Sequence, residues 1–163
     1  MSLVNAVTLE NQLTDFVKSI DINSSYDQLS NISTDPILFS ELQKKLTVLI
    51  QKNTEKLHSV NNLVGVELGG VPYVSQLSIN LDKPYIIFKN KTKGYGTDKL
   101  IEGTFQSGEN IILVMHTITD TVLEHCTVLL KQHHLNCILC VGLISQFSAK
   151  YPFPIKSVFE SDD

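Results

Sequence analysis

Residues 84–103 read Pro-Tyr-Ile-Ile-Phe-Lys-Asn-Lys-Thr-Lys-Gly-Tyr-Gly-Thr-Asp-Lys-Leu-Ile-Glu-Gly, an apolar strand that runs into a lysine-rich loop and back into a strand. Tyr85, Ile86, Ile87 and Phe88 suit a buried strand, because a short continuous apolar run bounded by turn residues fits the inside of a sheet. Lys89, Lys91, Lys93 and Lys99, interrupted by Gly94 and Gly96, make a cationic arm suited to a polyanion.

The flanking segments alternate between helical and strand patterns. Leu9, Leu13, Phe16, Val17 and Ile20 recur at helical spacing and predict a first helix ending before Asp21. After an Asn/Ser-rich stretch at 23–34, Asp35 and Pro36 read as the N-cap and first-turn proline of a second helix, with Leu38, Phe39, Leu42, Leu46, Leu49 and Ile50 on one face. Residues 63–66 predict a strand, Gly69 and Gly70 a turn, and residues 73–80 a short helix before the strand at 85–88. Beyond the basic loop, residues 111–114 predict a strand. Val122, Leu123, Cys126, Leu129 and Leu130 line a helix, residues 138–143 predict another strand, and 155–159 an edge strand after the stiff Tyr151-Pro152-Phe153-Pro154. Such alternation implies an α/β fold with a mainly parallel sheet flanked by helices. With no linker or repeat, residues 1–163 are expected to form a single domain.

Composition narrows the function classes. The chain has 42% hydrophobic and 18% charged residues and a formal charge of −4, which argues against a nucleic-acid partner. No apolar run reaches the roughly 18 residues of a membrane helix, so no membrane partner is expected. The start lacks a secretory pattern, and three cysteines without framework spacing fit a reducing compartment, the cytoplasm or else the nucleus. No arginine occurs, so every cation is a lysine or histidine and no planar fork exists for bidentate capture of phosphate.

Two separated segments carry a family resemblance. Gly70-Val71-Pro72-Tyr73 resembles the Gly-Val-Pro-Tyr turn of the orotate phosphoribosyltransferases. Tyr95-Gly96-Thr97, Leu100 and Glu102-Gly103 resemble the exit of their catalytic loop, especially in the domain found in eukaryotic UMP synthases. The resemblance implies a type I phosphoribosyltransferase fold, a two-fold dimer, and a reaction joining orotate to phosphoribosyl pyrophosphate. In that alignment Lys89 stands for the loop arginine and Lys93 for the late-loop lysine, while the middle lysine is Asn90. Lys18, Tyr73 and Tyr95 fall on substrate-binding positions. The Arg/Ser-Pro element that helps form the family's pyrimidine pocket has no counterpart in residues 20–26.

The ribose-phosphate motif departs from the family. Ile111, Ile112, Leu113 and Val114 match its strand, but the two acids that should follow, and that grip the ribose hydroxyls and support magnesium, are Met115 and His116. A thioether cannot serve a hydroxyl usefully, and a neutral imidazole offers one acceptor and no charge. The phosphate turn is Thr117-Ile118-Thr119-Asp120-Thr121, which aligns two residues short and lacks glycine. Asp120 places a carboxylate near the expected phosphate and reads better as the N-cap of a helix beginning near Val122.

The degenerate ribose-phosphate site is thus Met115, His116, Thr119, Asp120 and Thr121. The expectation is an inactive relative that works by binding or dimerisation, as a homodimer or with a related phosphoribosyltransferase. It would modulate that enzyme or pyrimidine nucleotide supply, Lys89 and Lys93 acting only in trans. The alternative is an active enzyme making orotidine 5′-phosphate, and no cofactor is expected except Mg2+ in that case. No metal ligands stand out: His133-His134 lacks zinc spacing, and Cys137 and Cys140, three apart on a strand, should face opposite sides as buried thiols. His116 has no accompanying nucleophile motif that would make it a general base.

Overall fold

The computed structural model describes residues 3–18, 34–90 and 99–159. Its elements run α1 (Leu3–Lys18), α2 (Pro36–Asn53), a 3-10 turn (Leu57–Ser59), β1 (Asn62–Val66), α3 (Gly70–Leu81), β2 (Tyr85–Phe88) and β3 (Ile101–Glu102). They continue with β4 (Asn110–Val114), β5 (Thr117–Thr119), α4 (Asp120–Gln132), β6 (Asn136–Gln146) and β7 (Ile155–Phe159). The strands form one sheet in the order β3-β2-β1-β4-β6-β5, with β7 also pairing with β6. Every pairing is parallel except that of β2 with β3. The α/β class, the mainly parallel sheet and the flanking helices are as expected.

The continuous apolar runs of β1 and β4 become inner strands because both of their faces are covered. Period-two alternation divides the core. Leu63, Ile112, Val114, Leu139 and Val141 point toward α2 and α3, together with Leu42, Leu46, Ile50, Tyr73, Val74 and Leu77. Val64, Val66, Ile111, Leu113 and Cys140 point the other way and pack with Leu123, Cys126 and Leu129 of α4. Leu13 of α1 belongs to the first core, and an exposed Lys45 to Glu10 pair at 3.0 Å also ties α1 to α2.

Local chemistry sets the helix starts. Asp35 caps α2 as expected, its Oδ1 accepting from the N–H groups of Ile37 (2.9 Å) and Leu38 (3.1 Å), with Pro36 in the first turn. Two expectations need correction. Gly70-Val71-Pro72-Tyr73 is the first turn of α3 and not a turn before a helix at 73. Gly70 must be glycine there, because a Cβ would sit 2.4 Å from the Val114 carbonyl oxygen. Residues 117–119, expected as a turn, are the strand β5, paired with residues 144–146 of β6.

The cysteine geometry also differs. Ile111 pairs with Cys137 but Ile112 with Leu139, a register shift that inserts one extra residue into β6. Such a bulge breaks the alternation. Ile138 and Leu139 therefore both pack with the α2–α3 core, while Cys137 and Cys140 both pack with the α4 core instead of facing opposite sides. All three thiols are free. Burial pushes Cys126 and Cys137 up to about 12 and raises Cys140 well above its ordinary value.

Candidate functional site

Because the strands are parallel, the C-terminal ends of β1, β2, β4 and β6 meet at one edge of the sheet, the edge where α/β folds hold ligands. Residues 67–69 follow β1 there, Lys89 follows β2, Met115 and His116 follow β4, and Ser148 to Tyr151 lie beyond β6. The Glu67–Leu68 peptide is cis.

The start of the basic loop is clamped on three sides. Lys89 donates its N–H to the Leu100 carbonyl at 2.8 Å, while its ammonium lies 2.6 Å from Glu102 across the β2–β3 pair. The His125 ring of α4 meets the Lys89 carbonyl oxygen at 2.7 Å, which requires an N–H at Nε2, and Glu67 accepts from the Asn90 N–H at 3.2 Å. The Lys89 hydrogen bond and charge hold the Glu102 carboxyl below its ordinary value. Lys89, expected as a catalytic cation, is thus paired internally. Lys93 and Tyr95 lie outside the described residues, as does the side chain of Lys18.

Where the family's acids are expected, the structure puts a plug. Met115 is 2% exposed and packs with the α4 core, while His116 is 5% exposed and points to the opposite face. There the imidazole lies 6.3 Å from the Tyr73 ring, which in turn lies 5.1 Å from Phe39. The contact with residues 67–70 is close: a Cβ on Gly69 would sit 2.5 Å from His116 Cβ and 2.8 Å from its Nδ1. Tyr73, expected at the substrate, is fully buried in this file of rings. His116 fills space between two turns, which leaves no open face for a general base.

Asp120 does not cap α4. Thr119 does, its Oγ1 accepting from the Val122 N–H at 3.4 Å in extended backbone geometry, and Asp120 is the first residue of the helix. Its carboxylate faces the chain after β6. Oδ2 accepts from the Ser148 N–H (2.9 Å) and Oγ–H (3.0 Å), and Oδ1 from the Ala149 N–H (3.2 Å) and the Tyr151 hydroxyl (2.8 Å). The Ser148 backbone bond, the Tyr151 hydroxyl and the remaining bonds pull its carboxyl down to about 2. Burial and this carboxylate push the Tyr151 hydroxyl up to about 12. Thr121 of the same turn is exposed.

A magnesium ion asks for carboxylates, carbonyls and water. The residues at the acid positions do not fit one, being a buried thioether and a buried imidazole on opposite faces. Among the described residues no group of three His, Cys, Asp or Glu can hold a metal, and no helix is long and apolar enough to cross a membrane.

No protein-family model matches the chain. Its sequence is 34% identical over 86 residues to an orotate phosphoribosyltransferase of Methanocella arvoryzae, covering 53% of this chain and 46% of that protein. It is 33% identical over 110 residues to one from Pyrococcus abyssi (66% and 58% covered), and 29% identical over 144 residues to one from Thermococcus kodakarensis (83% and 76%). The chain is similar in sequence to the orotate phosphoribosyltransferases. The matched segment spans about half the length of the first two of these proteins.

The fold is similar to that of Leishmania donovani UMP synthase, with a TM-score of 0.64 at 14% identity over 82% of this chain and 29% of the other. It is also similar to adenine phosphoribosyltransferase from Saccharomyces cerevisiae (0.61, 17%, covering 77% and 80%) and orotate phosphoribosyltransferase from Aeropyrum pernix (0.56, 22%, covering 77% and 66%). These likenesses establish the type I phosphoribosyltransferase fold. Glu67, His125, Ser148 and Tyr151 carry no sequence signal that places them at this edge, and the ion pair of Glu102 with Lys89 is likewise visible only in the fold. Only the Tyr151-Pro152-Phe153-Pro154 run hinted at a fixed segment there.

Proposed function

We propose that this chain keeps the phosphoribosyltransferase fold without the ribose-phosphate grip and does not itself transfer a phosphoribosyl group. One observation carries the reading: the two positions that should present acids to ribose hold Met115 and His116, both buried and on opposite faces of the sheet. Transfer needs donors and charges fixed around the developing ribosyl cation and the leaving pyrophosphate. A thioether facing the α4 core and an imidazole wedged against Gly69 supply neither. On this reading the protein acts in the cytoplasm by pairing, as a homodimer or with a related active phosphoribosyltransferase.

The competing reading is an active orotate phosphoribosyltransferase making orotidine 5′-phosphate with Mg2+, and the named relatives together with the Tyr95-Gly96-Thr97 loop exit favour it. A calorimetric titration with phosphoribosyl pyrophosphate and Mg2+, beside a turnover assay with orotate, separates the two. Our reading expects neither binding heat nor product. Saturable binding with product formation overturns it in favour of the enzyme.

A further inference from the structure

The four hydrogen bonds to the Asp120 carboxylate occur at a mechanically demanding point. β6 ends at Gln146, yet β7 runs parallel to it and begins opposite Cys140, so the chain must turn at the top of β6 and return along its length. Six residues of strand are about 20 Å, and about eight residues of fully extended chain reach at most about 29 Å. The return leg is therefore close to taut, stiffened by Pro152 and Pro154 and anchored below by the buried Phe153 and by the Cys140 N–H bond to the Pro154 carbonyl (2.9 Å). Its upper bend contains Ser148 and Ala149, both exposed, with Phe147 39% exposed beside Tyr151. Burial there is slight, and the bonds to Asp120 are the polar contacts that tie this bend to α4.

We infer that Asp120 is a latch that holds residues 147–151 as a strap across the N-terminal turn of α4, and that negative charge added at Ser148 releases it. The inference rests on the reading of this corner as a phosphate turn that has lost its ligand, and it adds what closes the corner instead. All four bonds converge on one carboxylate. Ser148 gives two of them to the same oxygen, so a carboxylate at position 148 would face Oδ2 as a like charge where a donor stood.

Amide hydrogen exchange at Ser148 and Ala149, read by NMR on the whole chain, tests this. In the unaltered protein both amides should be protected. Asp120→Ala and Ser148→Asp should each speed their exchange about tenfold or more, with the amides of β1 and β4 unchanged as proof of an intact fold. Asp120→Asn combined with Ser148→Asp should restore protection at the Ala149 amide, because the new amide's nitrogen can donate to the new carboxylate while its oxygen still accepts from Ala149. The latch is overturned if Asp120→Ala leaves the two amides protected, or if the Ala149 amide of the double variant exchanges as fast as in Ser148→Asp alone. Phosphoribosyl pyrophosphate binding by the unaltered protein would overturn the proposed function and leave these exchange results to stand separately.

Discussion

Met115→Asp puts back one of the two acids that the family resemblance calls for, and the structure gives a definite consequence. Met115 is 2% exposed and packs with Val64, Leu113, Ile118 and Leu123 on the α4 side. Losing a buried methionine side chain forfeits about 1.5–3 kcal/mol of transfer energy. The new carboxyl must then either stay ionised, at several kcal/mol of desolvation, or take up a proton. If burial lifts its pKa by about three units, keeping it neutral at pH 7 costs about 4 kcal/mol. The total, roughly 5–7 kcal/mol, approaches the whole stability of an ordinary domain.

The pH dependence has a fixed sign. A carboxyl whose folded pKa lies above its unfolded value of about 3.9 penalises folding least below that value, and the penalty grows as pH rises to the folded pKa. Urea unfolding followed by far-ultraviolet circular dichroism should therefore show the Met115→Asp deficit shrinking from pH 7 toward pH 4.5. Met115→Leu should cost less than about 1.5 kcal/mol at every pH. A Met115→Asp midpoint within about 1 kcal/mol of the parent at pH 7 would refute the burial on which the argument depends. It would also return position 115 to the candidates for gripping a ribose hydroxyl.

Two further outcomes check the geometry around the site. Gly70→Ala should destabilise by about 1–3 kcal/mol in the same unfolding assay, because its Cβ would meet backbone at the Val114 oxygen and no side chain can give way; an unchanged midpoint counts against the close approach of α3 to β4. Iodoacetamide at pH 8 should leave all three cysteines unmodified in the native protein and label all three in urea, as thiols raised by burial carry almost no thiolate. Rapid native labelling of Cys137 would show that the bulge does not turn it into the core.

Residues 84–103 announce two strands and a cationic loop, and β2 and β3 stand where that pattern puts them. Hydrophobic period, the Asp35-Pro36 cap and the order of apolar runs are local properties, so they were legible residue by residue and fixed the parallel α/β fold. The absence of acids at 115 and 116 was likewise written in the chain. What it could not specify was what those side chains touch. Asp120 meets partners 28 to 31 positions away, His125 meets a carbonyl 36 positions away, and a local N-cap rule assigned Asp120 a role that Thr119 holds. The bulge in β6 depends on how two strands settle against each other, and it alone put Cys137 and Cys140 on one face. Sequence alone determined the fold and the residue types at 115 and 116, because hydrophobic spacing and side-chain identity are local properties. The tertiary structure decided that Lys89 is paired, that Tyr73 is buried and that Asp120 closes its own corner, since hydrogen bonds and burial between distant segments exist only after the layers have packed.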